Sequence, residues 1–370
     1  MKRLSRWHAP AAFAWLQALR EPQLTLAWTL VDWDRTIRLA RRLRLLARLA
    51  ESLTAAGLIE QIPAPVRRHL IGEQRLSRWR SQAVIWGLER IEAALGDAPY
   101  PRVLLKGAAY LGQALPISVG RLPSDLDILV PHSHLADAVT RLELAGWSAG
   151  DVSDHDWRYY TEWSHEVPPM THPLHRMELD LHHNILPPLA RTRVDANLLL
   201  QQLKPSRWPA WQVLDPTDQV LHSAAHLFQD SEARDRLRDL VDLDGLLRHF
   251  GDVEAFWYRL VPRAHTLGLG EELALACHFC AKWLGTPMPE ASARAIESMG
   301  PRVWRRAWLV PLLASVLKPT EPDDRPARMQ DVAATALLSR YHFNRMPMRL
   351  LVPHLWHKWR ARHSLDDTGH

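Results

Sequence analysis

Apolar residues recur at spacings of three and four from Leu4 to about Leu95, with arginine-rich faces between them, as in RTIRLARRLRLLARLAESLTAAG. That period builds amphipathic helices, so the segment predicts helices, and its arginine run predicts a solvated helix face. The pattern stops at Gly96-Asp97-Ala98-Pro99-Tyr100-Pro101, a cluster of chain breakers. From Arg102 to about Leu186 the runs shorten. VLL reads as a short strand, AAYLGQAL as a helix, DLDILV as a strand, and HLADAVTRLELAG as a helix that stops at Gly146. Two longer strands are expected around WRYYTEWSHEV (157–167) and HRMELDLHHNIL (175–186), with PPMTHP between them. From Asp215 the helical period returns. Asp215 is a capping residue, Pro216 suits the first helical position and Asp218 adds negative charge to the first turn. The helix so opened carries His222 and His226, four apart on one face. More helices follow, separated by proline-containing loops near Pro287 and from Lys318 to Pro326, with no internal repeat. The expected class is α+β: a small mixed sheet with flanking helices at 99–214, a helical region at 1–98 before it and a helical bundle at 215–370 after it.

A chain of 370 residues with 47% hydrophobic content has enough apolar material for a core in each of two domains. Its formal charge of +5 suits a phosphate-bearing partner. The basic residues are scattered through helices with no nucleic-acid-binding motif, which disfavours nucleic acid as that partner. Cys277 and Cys280 are the two cysteines, too few for a secreted disulfide framework, and they fall in a helical pattern, EELALACHFCAKWLG. They are expected to be small buried side chains. The longest apolar runs, such as AWLVPLLASVL, are too short for a membrane span, and the basic amino terminus lacks a signal-peptide cleavage pattern. A cytoplasmic location is the expectation. The closing basic stretch MPMRLLVPHLWHKWRARH reads as a terminal helix docked on the core.

The chemistry centres on aspartates. The pattern D-x-D occurs at Asp32/Asp34, Asp125/Asp127, Asp154/Asp156 and Asp242/Asp244. The first and last sit in helical patterns, where residues two apart diverge, and the third sits in a polar turn. Asp125 and Asp127 are followed by ILV, so a strand turns both carboxylates the same way. Two such carboxylates repel unless a cation is present, which points to Mg²⁺ or Mn²⁺, and a metal held this way points to a phosphate-bearing ligand. Lys106 and Gly107 follow a strand and open a helix, where bare backbone and free amides suit an anion, and Arg121 and Ser124 lie just before the aspartates. In MELDLHH, Glu178, Asp180 and His182 share one strand face. If that strand lies beside DLDILV, Asp180 joins the pair as a third carboxylate, the set needed for two-metal phosphoryl transfer. Replacing Asp125 or Asp127 by Ala is expected to leave the fold intact.

LLKGAAYL, GRLPSDLDILV and MELDLHH, and more loosely LHSAAHLFQDSEARDRLRDLVDLDGLL, resemble the uncharacterised nucleotidyltransferase family of the polymerase-β-like nucleotidyltransferase superfamily. The resemblance implies a nucleotidyltransferase core in the mixed sheet, with Asp125, Asp127 and Asp180 as catalytic and metal-binding carboxylates. Lys106, Gly107, Arg121 and Ser124 would then meet the nucleotide. It implies an NTP donor, divalent metal, and transfer of an NMP to a hydroxyl-type acceptor: a small molecule, a glycan or a protein side chain. The chain departs from the wider superfamily at the phosphate turn, with Lys-Gly in place of Gly-Ser and 18 positions between Gly107 and Asp125. His222, His226, Arg236 and Asp239 match a recurring pattern of the helical part and, with His182, are candidates for the acceptor side. Two other readings stand beside this one: a catalytically inactive nucleotide-binding or scaffold protein of the same fold, and a metal-dependent phosphohydrolase using helical His and Asp residues.

Overall fold

The helical period of the first hundred residues folds as α1 (Ala11–Ala18), α2 (Leu30–Arg42), α3 (Leu46–Ala55) and the long α4 (Ala64–Leu95) in the computed structural model, which describes residues 11–150, 160, 163–230 and 234–345. Thr29 and Asp32 form a reciprocal capping box at the start of α2. Trp33, Leu46, Leu49, Leu53 and Leu70 bury together where these helices meet. The arginine run is not the uniformly solvated face its composition suggests. Arg41 pairs with Glu73 at 2.7 Å, and Arg48 reaches inward to Asp242 at 3.3 Å. The far half of α4 turns to the sheet, burying Val84, Leu88, Ile91 and Leu95 in the main core. Gly87 permits that approach, because a Cβ there would stand 2.5 Å from Leu126 Cδ1.

The sheet is mixed, as expected, and among the described residues has six strands: β1 (Val103–Leu104), β2 (Asp125–Leu129), β3 (Met170–His172), β4 (His175–His182), β5 (Lys204–Pro205) and β6 (Gln212–Val213). Their spatial order is β3-β4-β2-β1-β6-β5. The β2 and β4 strands run parallel at the centre, with Asp125 opposite Glu178 and Asp127 opposite Asp180. A parallel pair needs a crossover, and α6 (Leu135–Leu144) lies between the two in sequence. The short α5 (Lys106–Gly112) follows β1 directly. Leu126, Ile128, Leu179 and Leu181 are fully buried, which locks the register.

One strand falls elsewhere than the pattern indicates. The expected strand at 157–167 lies partly outside the described residues; of its described members Tyr160 and Trp163 are helical, while Glu166 forms an isolated antiparallel bridge to His182 and the Val167 amide donates to the Leu181 carbonyl at 3.0 Å. The strand that pairs antiparallel with β4 is β3, inside the stretch read as a connection. It is three residues long, flanked by Pro169 and Pro173, and lies at the sheet edge, where a residue without an N–H is tolerated.

The chain then builds α7 (Ala196–Leu200), α8 (Pro216–Gln229), α9 (Leu237–Gly251), α10 (Glu254–Leu267), α11 (Gly270–Phe279), α12 (Glu290–Ser298), α13 (Val303–Leu317) and α14 (Arg328–Arg345). Asp215 caps α8 as expected, its Oδ1 accepting from the Thr217 amide at 3.0 Å. Asp218 pairs with Arg263 of α10 at 2.7 Å. Leu221 and Ala225 of α8 and Leu240 and Leu243 of α9 join the same continuous core as the sheet. Cys277 and Cys280 are buried and unbridged, and burial pushes the Cys277 thiol up to about 12. Among the described residues, no helix is long and apolar enough to cross a membrane. Asp154, Asp156 and the basic stretch 346–363 lie outside the described residues.

Candidate active site

Asp125 opens β2 and Asp127 follows two residues on, so the pleat turns both to one side of the sheet. The parallel register sets Asp180 of β4 across from Asp127. Asp125 and Asp180 face a cleft of about 500 Å³. Its other walls come from α5 (Lys106, Tyr110), the end of α2 and the turn after it (Arg42, Arg44) and α8 and α9 with the turn between them (Ser223, His226, Arg236, Asp239). Ser124, also on the wall, donates its hydroxyl to Asp125 Oδ2 at 3.0 Å.

Asp127 lies deeper, only 2% exposed. Its Oδ1 accepts from Lys106 Nζ at 2.7 Å and stands 3.1 Å from His182 Nε2. Burial alone would push the Asp127 carboxyl up, but the Lys106 ammonium and His182 outweigh it and hold it well below the usual carboxylate range. Burial likewise opposes the charge on Lys106, and Asp127 more than compensates, raising its pKa. Asp180 has no hydrogen-bond or ion-pair partner for its side chain among the described residues. Burial and then the Asp127 carboxylate push it up to about 7, with Glu166 and Asp125 adding to the effect.

Lys106 takes the left-handed backbone at φ 43°, uncommon for a residue with a Cβ and most often met at functional turns. The bare Cα of Gly107 is covered, since a Cβ there would stand 2.2 Å from Arg121 Nη1. The guanidinium also lies over the Tyr110 ring at 5.5 Å and donates from Nε to Asp242 Oδ2 at 2.8 Å. Backbone openness at Gly107 therefore accommodates an arginine, and it is Arg121 that faces the cleft there.

The helical candidates divide. His226, Arg236 and Asp239 border the cleft, with Arg236 bonded to Asp230 and, at 3.1 Å, to Asp239. Burial and then the Lys106 charge press the His226 imidazole down to about 3. His222 is buried beneath, held neutral by burial and Lys106, and is not part of the cleft wall. His182 is equally buried, with Asp127 on its Nε2 side and Glu166 Oε2 3.4 Å from Nδ1. The ligand atoms of His165, Glu166 and His182 lie within 4.8 Å of one another, near enough to share a cation.

Glu166, Arg44, Arg238 and Asp242 also border the cleft, although the sequence reading names none of them as a site residue. Glu166 arrives through a single antiparallel bridge to His182. Arg44 comes from the run read as a solvated face; burial and then the neighbouring Arg238 charge lower its pKa. Arg44 and Arg238 set two like charges on the cleft wall.

The model of a family described as uncharacterised nucleotidyltransferase matches residues 29–285. The chain belongs to this family. Membership carries the family's general activity, nucleotidyl transfer, for which an NTP is the donor. No curated protein and no solved structure matches the chain.

Proposed function

We propose that this nucleotidyltransferase is metal-dependent and moves an NMP from an NTP to a hydroxyl-type acceptor, with the mixed sheet as its catalytic core. The observation that carries this reading is the convergence of Asp125, Asp127 and Asp180, one of which is pushed up to about 7 by burial and the Asp127 carboxylate. Such a set relaxes on gaining positive charge. Its donors are carboxylate oxygens with the Ser124 hydroxyl beside them, a fit to Mg²⁺ or Mn²⁺ rather than to a thiophilic ion. Asp125, Asp127 and Asp180 would hold the ion, which when bound supplies charge neutralisation at the phosphates.

Lys106, Arg44, Arg121 and Arg238 line the cleft with positive charge and would receive the triphosphate. Lys106 already balances Asp127, so it sits between the carboxylates and the phosphate charge they would otherwise repel. The acceptor oxygen attacks the α-phosphorus and pyrophosphate leaves. Regions 1–98, 99–214 and 215–370 would act as helical lead-in, core and helical domain. A cytoplasmic setting, where NTPs are at hand and thiols stay reduced, suits this activity. A phosphohydrolase built on the helical histidines draws less support, because His222 is buried away from the cleft wall.

The test is calorimetric titration with the four NTPs, with and without Mg²⁺ or Mn²⁺, beside Asp125→Ala and Asp180→Asn. Metal-dependent binding that both variants lose is expected. No NTP binding under any metal condition would overturn the reading. NTP binding with no metal-dependent product would favour the inactive nucleotide-binding alternative.

A further inference from the structure

A second cavity, about 260 Å³, lies beside the cleft and shares Lys106, Glu166 and His226 with it as walls. Resting on the transferase reading above, we propose that this cavity is the acceptor subsite, that it takes a small hydroxyl compound, and that Glu166 receives the acceptor's proton.

Size, lining and position support this. A space of this volume holds roughly nine waters at ~30 Å³ each, enough for a compact metabolite and far short of a polymer segment. Its lining joins apolar Leu186 and Ala225 to the polar Gln229 and Tyr341 and to charged groups, Asp230 and Arg345 among them. That mixture suits a molecule with an apolar body and polar or charged substituents, whereas the larger cleft has little apolar wall. Tyr341 belongs to α14, so the subsite takes its far wall from the helical bundle.

Glu166 is the carboxylate that borders both spaces. Its Oε2 stands 3.4 Å from His182 Nδ1 and 3.7 Å from His165 Nε2, and its backbone is pinned to His182 by the bridge to β4. An acceptor in the small cavity therefore presents its hydroxyl to Glu166 on the side facing the nucleotide. The acceptor oxygen forms a bond to the α-phosphorus, the bond to the β-phosphate oxygen breaks, pyrophosphate carries that electron pair away, and the hydroxyl proton passes to Glu166.

The experiment offers α-labelled NTP with Mg²⁺ to a cell extract split into small-molecule and macromolecular fractions. It uses the full chain and the cavity-filling variants Ala225→Leu and Ala190→Leu, with Glu166→Gln beside them. Label should enter the small-molecule fraction. Each filling variant should raise the acceptor KM by about tenfold or more while still binding NTP by calorimetry. Glu166→Gln should lower kcat about 100-fold with the KM for NTP little changed. Ala190 lies outside the helices, so its variant stands in if Ala225→Leu fails to fold. Label in the macromolecular fraction alone, no transfer by a chain that binds NTP, or filling variants that transfer at the original rate would each overturn the inference. Failure of the unaltered chain to bind any NTP would overturn it together with the reading it rests on.

Discussion

Asp127 Oδ1 lies between the Lys106 ammonium at 2.7 Å and the His182 imidazole at 3.1 Å, while Asp125, two residues earlier on the same strand, has the Ser124 hydroxyl as its hydrogen-bond partner. The two aspartates are chemically unequal. Asp127 anchors buried positive charge beneath the cleft wall, so its replacement should cost more stability than replacement of Asp125. Removing one partner of a buried pair strands the other. Asp127→Ala should cost about 3 kcal/mol in urea unfolding, and Asp125→Ala less than about 1 kcal/mol, although both should abolish transfer. Equal and small losses would mean that Lys106 finds another partner.

Asp180 should show the opposite balance. Its carboxyl sits at about 7 in the folded chain, above its ordinary value of 3.8, so the native state binds the extra proton between those values. The stability it contributes therefore falls as pH rises from about 4 to 7, and above 7 the full penalty of an ionised buried carboxylate is present. Asp180→Asn removes that penalty. In chelator at pH 8 the variant should be more stable than the original by about 2 kcal/mol, with screening discounted, and the gain should vanish near pH 4. Added Mg²⁺ should stabilise the original chain and not the variant, which thermal melts in chelator and in metal would show.

What the sequence revealed of this site, and what it hid, follows from the range of the interactions. The pairing of DLDILV with MELDLHH was legible because both segments alternate or run apolar around fixed polar positions, and burial of Leu126, Leu179 and Leu181 leaves one register. The capped start of α8 was legible because its hydrogen bonds close within three residues. The β3 strand was hidden by its prolines, which local propensity scores as turn and edge position permits. Glu166, Arg44 and Arg238 were hidden because only tertiary packing brings them to the cleft. Gly107 stands out in the sequence as bare backbone after a strand, and in the fold its missing Cβ makes room for Arg121, a neighbour that only tertiary packing supplies.

That relation between Gly107 and Arg121 can be measured. A Cβ at position 107 would stand 2.2 Å from Arg121 Nη1 and 3.1 Å from Cζ, forcing the guanidinium off its bond to Asp242. Gly107→Ala should therefore cost about 2 kcal/mol, despite the better helix propensity of alanine. Arg121→Ala should cost about 3 kcal/mol, because Asp242 is left with Arg48 at 3.3 Å. In the double variant the alanine at 107 meets no guanidinium, so the losses should fall short of additive by about 2 kcal/mol. Additive losses in urea unfolding would show that the glycine serves its own backbone and not the arginine.

The end of β4 should make the protein acid-sensitive through a histidine that touches no substrate. His183 Nε2 stands 3.1 Å from the Ser164 carbonyl, and burial and then the neighbouring His132 press its pKa down from 6.5 to about 4. In that interval the unfolded chain binds a proton that the native chain refuses, so its contribution is complete above 6.5 and is lost as pH falls toward 4. A glutamine at 183 can still donate to the carbonyl without titrating. Whatever stability gap separates His183→Gln from the original chain at pH 7 should shift in favour of the variant by about 1.4 kcal/mol per pH unit between 6.5 and 4. The carboxyls that titrate over the same range are common to both proteins, so their contribution cancels in the difference. A gap that stays constant across that interval would mean that His183 is protonated in the folded chain, and the NMR titration of its ring protons would then show an ordinary midpoint.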